Sequence, residues 1–369
     1  MKKRLGIIFG GKSVEHEVSL QSARNVFAAV DPAKFDVVLI GIDHTGRWSM
    51  CDTALIGSAT NPTTALPAAA DQASLAFVPG DSRRAIQPVS VTTSLPELDV
   101  IFPLVHGTGG EDGTLQGLLK LANVPFVGPD VLGSAVSMDK DVAKRLLHAA
   151  GIPVARWVTL NRRTAAQASF ASLVETLQLP FFVKPANAGS SVGVSKVQSP
   201  AEWEAARDLA LRYDHKILVE EFVRGREIEV AVLGNDDPAA SVAGEIVPQH
   251  EFYSYEAKYL DEHGALLRIP AELPATVSDR VRQLAVAAFK ALVCSGMARV
   301  DFFVKDDGSV YVNEINTIPG FTKISMYPKL WEASGLSYPA LIERLIELAI
   351  ERHAENQALE TSFQPKLID

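Results

Sequence analysis

Apolar residues in this chain gather first in short runs without strict alternation, at Leu5 to Phe9, Val37 to Ile42 and Val100 to Val105. Each run ends near Gly, Asp or His, as strands buried on both faces of a parallel sheet do. Helical spacing lies between or after them, at Ser19–Val30 and Thr114–Ala122. Residues 1–128 therefore read as an open α/β domain, with 50–95, rich in Ala, Thr, Pro and Ser, as an insertion on it. Beyond Gly128-Pro129, Met138–Ala150 has an amphipathic helical pattern, closed by Gly151 and Pro153. Strand-like runs follow at Val154–Leu160, Phe181–Lys184 and Ile217–Glu221, with helices between them. From Arg226 the strands lengthen and alternate, and helices are expected at Ser278–Val293 and Pro339–Arg352. The tail after His353 is polar and reads as frayed. The expected division is 1–128, 129–225 and 226–369.

Composition narrows the class. A chain of 369 residues, 47% hydrophobic and 21% charged, suits a globular enzyme of two or three domains. Its net charge of −9 argues against a nucleic-acid or anionic-membrane surface, which needs basic patches. Cys51 and Cys294 lie far apart and read as small buried hydrophobes rather than a disulfide or metal pair. The basic start, Met1 to Arg4, is followed by only three apolar residues, Ile7-Ile8-Phe9, too few for a signal peptide or a membrane span. The expected compartment is the cytoplasm.

Four segments carry candidate chemistry. Gly6 to Ser13 spells a P-loop, but its first glycine sits inside a strand and Ile7-Ile8-Phe9 require burial. The better reading is a strand ending in a Gly10-Gly11 turn that presents Glu15, His16 and Glu17 at a helix start. Glu15 is then either a ligand for a cation or ammonium, or a solvated helix-entry carboxylate. His106 to Gly113 (HGTGGEDG) sits between a strand end and a helix, where open α/β sheets place ligands; a capped, flexible loop is the alternative. Lys184 to Gly193 (KPANAGSSVG) has the small residues and free N–H groups that cradle phosphates, with Lys140 and Lys184 for charge. Residues 251–259 (EFYSYEAKY) read as a mobile lid, in which Tyr253 and Tyr255 are packing residues.

The C-terminal hairpin carries more. Asp307-Gly308 signals a two-residue turn. Counting back from it pairs Asp306 with Ser309, Asp301 with Glu314 and Arg299 with Asn316, all four functional side chains on one face. Two carboxylates about 4 Å apart would repel by roughly 4 kcal/mol at an effective dielectric near 20. A divalent cation such as Mg²⁺ carrying phosphates would remove that penalty. A shared proton, or Arg299 as ion partner, would also do so.

Seven ordered blocks then resemble one family: GGKSVEHEVS at Gly10, HGTGGEDG at His106, MDKDVAK at Met138, KPANAGSSVG at Lys184, YEAKY at Tyr255, ARVDFF at Ala298 and NEINTIPGFT at Asn313. They resemble the D-alanine–D-alanine ligases, members of the ATP-grasp fold. The resemblance implies an α/β and α+β architecture, an ATP-grasp fold preceded by a Rossmann-like open α/β N-terminal domain. It implies transfer of the ATP γ-phosphate to a first D-alanine carboxylate, and attack on that acyl phosphate by the amine of a second D-alanine. The product serves peptidoglycan and cell-wall synthesis, hence cell shape. By the same likeness, Asp301, Glu314 and Asn316 hold Mg²⁺ or Mn²⁺, two ions per site. Lys140, Lys184 and Lys258 contact phosphates, and the Ser190-Ser191 loop closes over them. Glu220, Glu221, Phe222 and Glu227 belong to the adenine and ribose region. Glu15 with His106 receives the first ammonium, Arg299 with the Gly320 backbone stabilises the oxyanion, and Ser325 and Met326 meet the second carboxylate. Tyr259 bonds to Ser190 and Glu15; it is Tyr where relatives that use D-lactate carry Phe, which favours the dipeptide. A homodimer is also implied. Phe222 stands where some relatives have Trp, and Ala186-Asn187-Ala188 departs from the commoner charged loop, so nucleotide affinity is the property in doubt. Competing readings are an amino-acid ligase of other specificity, a non-catalytic nucleotide-binding regulator, and a dinucleotide-dependent oxidoreductase. The last lacks the glycine fingerprint.

Overall fold

A computed structural model describes residues 2–52, 75–77, 86–89, 97–248 and 265–360 of the chain. It is a mixed α/β structure built on three main sheets. In the first, β1 (Lys3–Gly10) lies between β2 (Phe35–Ile42) and β6 (Val100–Leu104), parallel to both, and β3 (Trp48–Cys51) adds an antiparallel edge. Short β4 (Leu75–Phe77) and β5 (Ile86–Pro88) pair with each other within the 50–95 stretch. Leu5, Ile7, Ile8 and Phe9 are all fully buried because both faces of β1 are covered. Leu5, Ile7 and Phe9 pack with α1 (His16–Ala29), while Ile8 faces α2 (Thr114–Leu121). Gly6 to Gly10 thus lie inside a strand, which disposes of the P-loop spelling.

The expected helix Met138–Ala150 is the second of two successive helices, and it starts at Lys140. The first is α3 (Val131–Met138), and Asp139 is extended at φ −80°, ψ 99° before α4 (Lys140–Ala149). The Asp139 carboxylate caps the N–H groups of Asp141 and Val142, so the helix starts at Lys140 rather than at Met138. The second sheet has the order β7 (Trp157–Asn161), β10 (Lys216–Glu221), β8 (Phe181–Pro185), β9 (Ser195–Val197). It buries Phe181, Val183, Ile217 and Val219 against Trp203 and Ala206 of α7 (Pro200–Tyr213). Between β7 and β8 run the short helices α5 (Arg162–Gln167) and α6 (Phe170–Leu177).

The third sheet is antiparallel, in the order β13 (Ala265–Arg268), β12 (Ala239–Pro248), β11 (Arg226–Gly234), β14 (Gly296–Val304), β15 (Val310–Asn316). One face packs on α8 (Ala275–Ala291), the other on α9 (Met326–Ala333) and α10 (Tyr338–Gln357). Leu341 and Leu345 of α10 share a core with Leu5 and Phe9, so the last helix among the described residues covers the first sheet. Arg352 fastens that helix to the junction by donating to Gly128 O, to Phe126 O at 2.8 Å and to Ser295 Oγ at 2.6 Å. This docking is why the helix runs on to Gln357 rather than fraying after His353. Among the described residues no helix is long and apolar enough to cross a membrane.

Candidate active site

The C-terminal ends of β1 and β6 and the hairpin of the third sheet open onto one cleft of about 420 Å³. Glu15, immediately before α1, is buried beside it. A Cβ on Gly107 would lie 2.3 Å from Glu15 Oε2, so only glycine lets that loop pass, and its φ of +73° suits glycine as well. Ser190 Oγ donates to Glu15 Oε1 across 175 positions of sequence, closing the Lys184–Gly193 loop onto the first sheet. Ser190 and Ser191 both hold left-handed φ, 52° and 59°. Non-glycine residues keep such angles only where the surroundings impose them, commonly at ligand loops.

His106 does not offer a nitrogen to the cleft. Its Nδ1 donates to Ile318 O at 2.9 Å, so Nε2 accepts from Ser22 Oγ at 2.9 Å. Ser22 Oγ in turn accepts from Phe321 N–H at 3.1 Å. Burial pushes the imidazole down to about 4, so it is neutral near pH 7. Expected as a partner for an ammonium, it instead fixes the 318–321 turn that carries Gly320.

Glu111 grips the other backbone group of the same residue: Oε1 accepts from Ile318 N–H and Oε2 from Gly107 N–H, both at 2.8 Å. Burial first, and the Glu15 charge second, push its carboxyl from 4.5 up to about 8. In the folded state it keeps its proton while the unfolded chain ionises, so this group makes stability fall as pH rises from about 4.5 to about 8. Glu111→Gln should flatten that slope in urea titrations run across this window. The variant should also start lower by about 1–3 kcal/mol, because its NH₂ faces an N–H donor. An unchanged slope would show that Glu111 is ionised in the fold.

On the hairpin, Asp301 lies opposite Glu314 and Arg299 opposite Asn316, as the sequence count predicts, but not through the predicted turn. The loop has three residues, Asp306 to Gly308, closed by Lys305 N–H to Ser309 O at 2.9 Å, with Gly308 at φ +81°. That pairs Val304 with Val310 and Phe302 with Val312, one residue off the count. A bulge at Asn313 restores the register. The bulge lets Val310, Val312 and Ile315 all face the core.

Arg299 donates both Nε and Nη2 to Asp301 at 2.7 Å, and Nε lies 2.9 Å from Glu229 on β11. Asn316 Nδ2 donates to Asp301 at 2.9 Å, and Lys140 Nζ sits 3.4 Å from Glu314. Here the alternative of Arg299 as ion partner is present in the geometry. Three carboxylates nevertheless face two cations, and the surplus negative charge with several carboxylate and amide oxygens suits a hard divalent ion.

Behind this face Lys140 also donates to Ala188 O at 2.7 Å, tying α4 to the glycine–serine loop. Lys184 pairs with Glu220, whose other oxygen lies 2.7 Å from the buried Lys144. The Glu220 carboxylate is therefore held by lysines, and that of Glu221 is held by Arg156 at 2.6 Å. Phe222 is exposed beside Phe182, with Lys196 Nζ 5.5 Å from its ring centre. Glu227 and Met326 line the cleft. Ser325 also lines it, its Oγ accepting from Thr322 N–H at 2.9 Å. Lys258 and Tyr259, and the 251–259 lid as a whole, lie outside the described residues. The sequence reading placed Glu111 in a candidate loop without giving it this role, and missed Lys144 and Glu229. Of those two, Glu229 left a signal, standing two residues after Glu227 on one strand face.

Family models described as D-ala D-ala ligase N-terminus and C-terminus match residues 4–129 and 146–347. A D-alanine–D-alanine ligase of Shouchella clausii is 56% identical over 362 residues, 98% of each chain. Among solved structures, the D-alanine-D-alanine ligase from Coxiella burnetii aligns at TM-score 0.86 with 44% identity, covering 96% of each chain. The VanG D-Ala:D-Ser ligase from Enterococcus faecalis aligns at TM-score 0.84 with 37% identity, covering 95% of this chain and 100% of the other.

Proposed function

The chain belongs to the D-alanine–D-alanine ligase family, and from that premise we propose that it joins two D-alanines at the cost of ATP, by way of an acyl phosphate, for peptidoglycan synthesis. The observation that carries the reading is that Glu15, Lys140, Ser190, Arg299, Asp301 and Glu314, from separate stretches of chain, line one cleft. The finer architecture proposed is an ATP-grasp fold preceded by a Rossmann-like domain, with divisions after residues 128 and 225. The family uses ATP and a divalent metal. Mg²⁺, with Mn²⁺ as substitute and two ions per site, is the assignment favoured by the Asp301, Glu314 and Asn316 oxygens.

Bound there, the metal would draw charge off the transferring phosphoryl oxygens. Lys140 and Lys184 would hold ATP phosphates, with the Ser190-Ser191 turn covering them and Lys258 as a third cation. Glu220, Glu221, Phe222 and Glu227 would border the nucleoside. Because the Glu220 and Glu221 carboxylates are occupied, those two would act through backbone or the outer carboxylate edge. Glu15 would take the first D-alanine's ammonium, held in place by Gly107, Gly189 and Ser190. When the second amine attacks, negative charge grows on the carbonyl oxygen, and Arg299 with the Gly320 N–H would stabilise it. His106 and Glu111 would keep Gly320 at that position by holding the backbone C=O and N–H of Ile318. Ser325 and Met326 would meet the second carboxylate.

Phosphate release from ATP and Mg²⁺ with D-alanine, checked by product mass, tests this reading, with L-alanine, D-lactate and D-serine as separate second substrates. Dipeptide from D-alanine alone supports it. Release only with another pair would reassign specificity within the class. Tyr259→Phe should admit D-lactate as second substrate; if the variant forms no depsipeptide, Tyr259 does not set that choice. Mass in solution tests the homodimer, and fractionation the cytoplasmic location.

A further inference from the structure

The first turn of α1 and the β2–β3 turn meet outside the cleft. There His16 and His44 stack with ring centres 3.8 Å apart. Ligand atoms of His16, His44 and Glu17 all lie within 4.8 Å of one another, and none of the three residues lines the cleft. His16 is 4% exposed, and its Nδ1 donates to Gly11 O at 2.7 Å. That bond selects the tautomer with a bare Nε2, which accepts no hydrogen bond among the described residues. An imidazole held through one nitrogen, with the other left as a lone pair, is how proteins present a histidine to a metal.

The partner turn is stiff. Asp43 Oδ1 accepts from Thr45 N–H at 2.8 Å, Thr45 Oγ1 at 2.7 Å and Arg47 N–H at 2.9 Å. That oxygen is thereby committed to shaping the turn, while His44 at its tip is exposed, as is Glu17 on α1. Lys12 runs its stem past Gly46 of that turn. We propose that His16, Glu17 and His44 form a binding site for a divalent transition-metal ion of the Zn²⁺ class.

Two imidazoles and one carboxylate form a three-ligand set seen for Zn²⁺, with the fourth position left for water. Mg²⁺ and Ca²⁺ favour all-oxygen sets, so the site would ignore them. Tetrahedral bonds of about 2.0–2.1 Å put ligand atoms well inside the 4.8 Å span of the cluster. The buried His16 supplies the fixed point, and the two exposed side chains close the gap. The ion would pin the start of α1, two residues from Glu15, to the β2–β3 turn.

Calorimetric titration of the full chain with Zn²⁺ tests the site, run in excess Mg²⁺ so that the oxygen-lined centre is already filled. A single Zn²⁺ per chain is expected, weakened by about tenfold or more in His44→Ala and in Glu17→Gln. Both variants should keep the Mg²⁺-supported ligase rate, since neither residue lines the cleft, and Glu17→Gln should keep the metal-free melting temperature, since that side chain is exposed. Co²⁺ should give visible bands of a nitrogen–oxygen site. No Zn²⁺ uptake by the parent chain, equal uptake by all three proteins, or a thiolate charge-transfer band pointing to Cys51 would each overturn the proposal.

Discussion

Arg299→Lys is expected to lower kcat by about two to three orders of magnitude while changing the KM for ATP far less. The magnitude is that of removing a preorganised donor aimed at a developing oxyanion. In the structure the guanidinium spans Asp301 by two bonds of 2.7 Å and approaches Glu229 at 2.9 Å. A planar fork can satisfy two carboxylates and still turn an N–H edge toward the cleft; an ammonium on a flexible stem cannot hold that geometry. Lysine keeps the charge, so a fall in kcat isolates direction from charge. Steady-state phosphate release with D-alanine reads it. A kcat within about threefold of the parent would remove Arg299 from the transition state and leave it an ion partner of Asp301.

Lys144→Met costs about 3 kcal/mol of stability, the low end for breaking a buried ion pair. Lys144 and Glu220 are each 2% exposed and sit 2.7 Å apart. Burial pulls the Lys144 ammonium below its usual range, and Glu220 only partly offsets that. Burial also works against the Glu220 carboxylate, but Lys144 and Lys184 outweigh it and hold its pKa below the ordinary value. Without Lys144, Lys184 becomes the sole lysine on a buried carboxylate and is less free to meet a phosphate. The variant should therefore raise the KM for ATP more than it lowers kcat. Lys184→Met, at the more exposed end of the cluster, should cost less stability. If urea midpoints put the two variants in the opposite order, Lys144 is not the resident counter-ion.

Local order was legible where burial imposes a period. The run Leu5 to Phe9 became a strand buried on both faces, and the alternation around Arg299 and Asp301 put both side chains on the site face. The facing pairs on the hairpin came out right through two cancelling displacements, a three-residue loop and the bulge at Asn313. The Asp307-Gly308 signal marks a turn but does not count its residues, and the bulge answers to the burial of Ile315 against another helix. The helix at Met138–Ala150 was read two residues early, because apolar spacing does not show the cap that Asp139 places on backbone N–H groups.

By itself, the sequence determined the element types, the glycine-rich loops at strand ends and the ordered motif blocks that carry the family likeness. Each depends on neighbours a few residues apart, the range over which helix and strand periods act. Only the tertiary structure decided that Ser190 bonds Glu15, that His106 spends both nitrogens on holding the Ile318 turn, that Glu229 shares Arg299, and that Lys144 stands behind Lys184. A charge or a hydrogen-bonding group takes whichever partner folding brings within about 3 Å. Those partners lie far apart along the chain, so no local pattern records them.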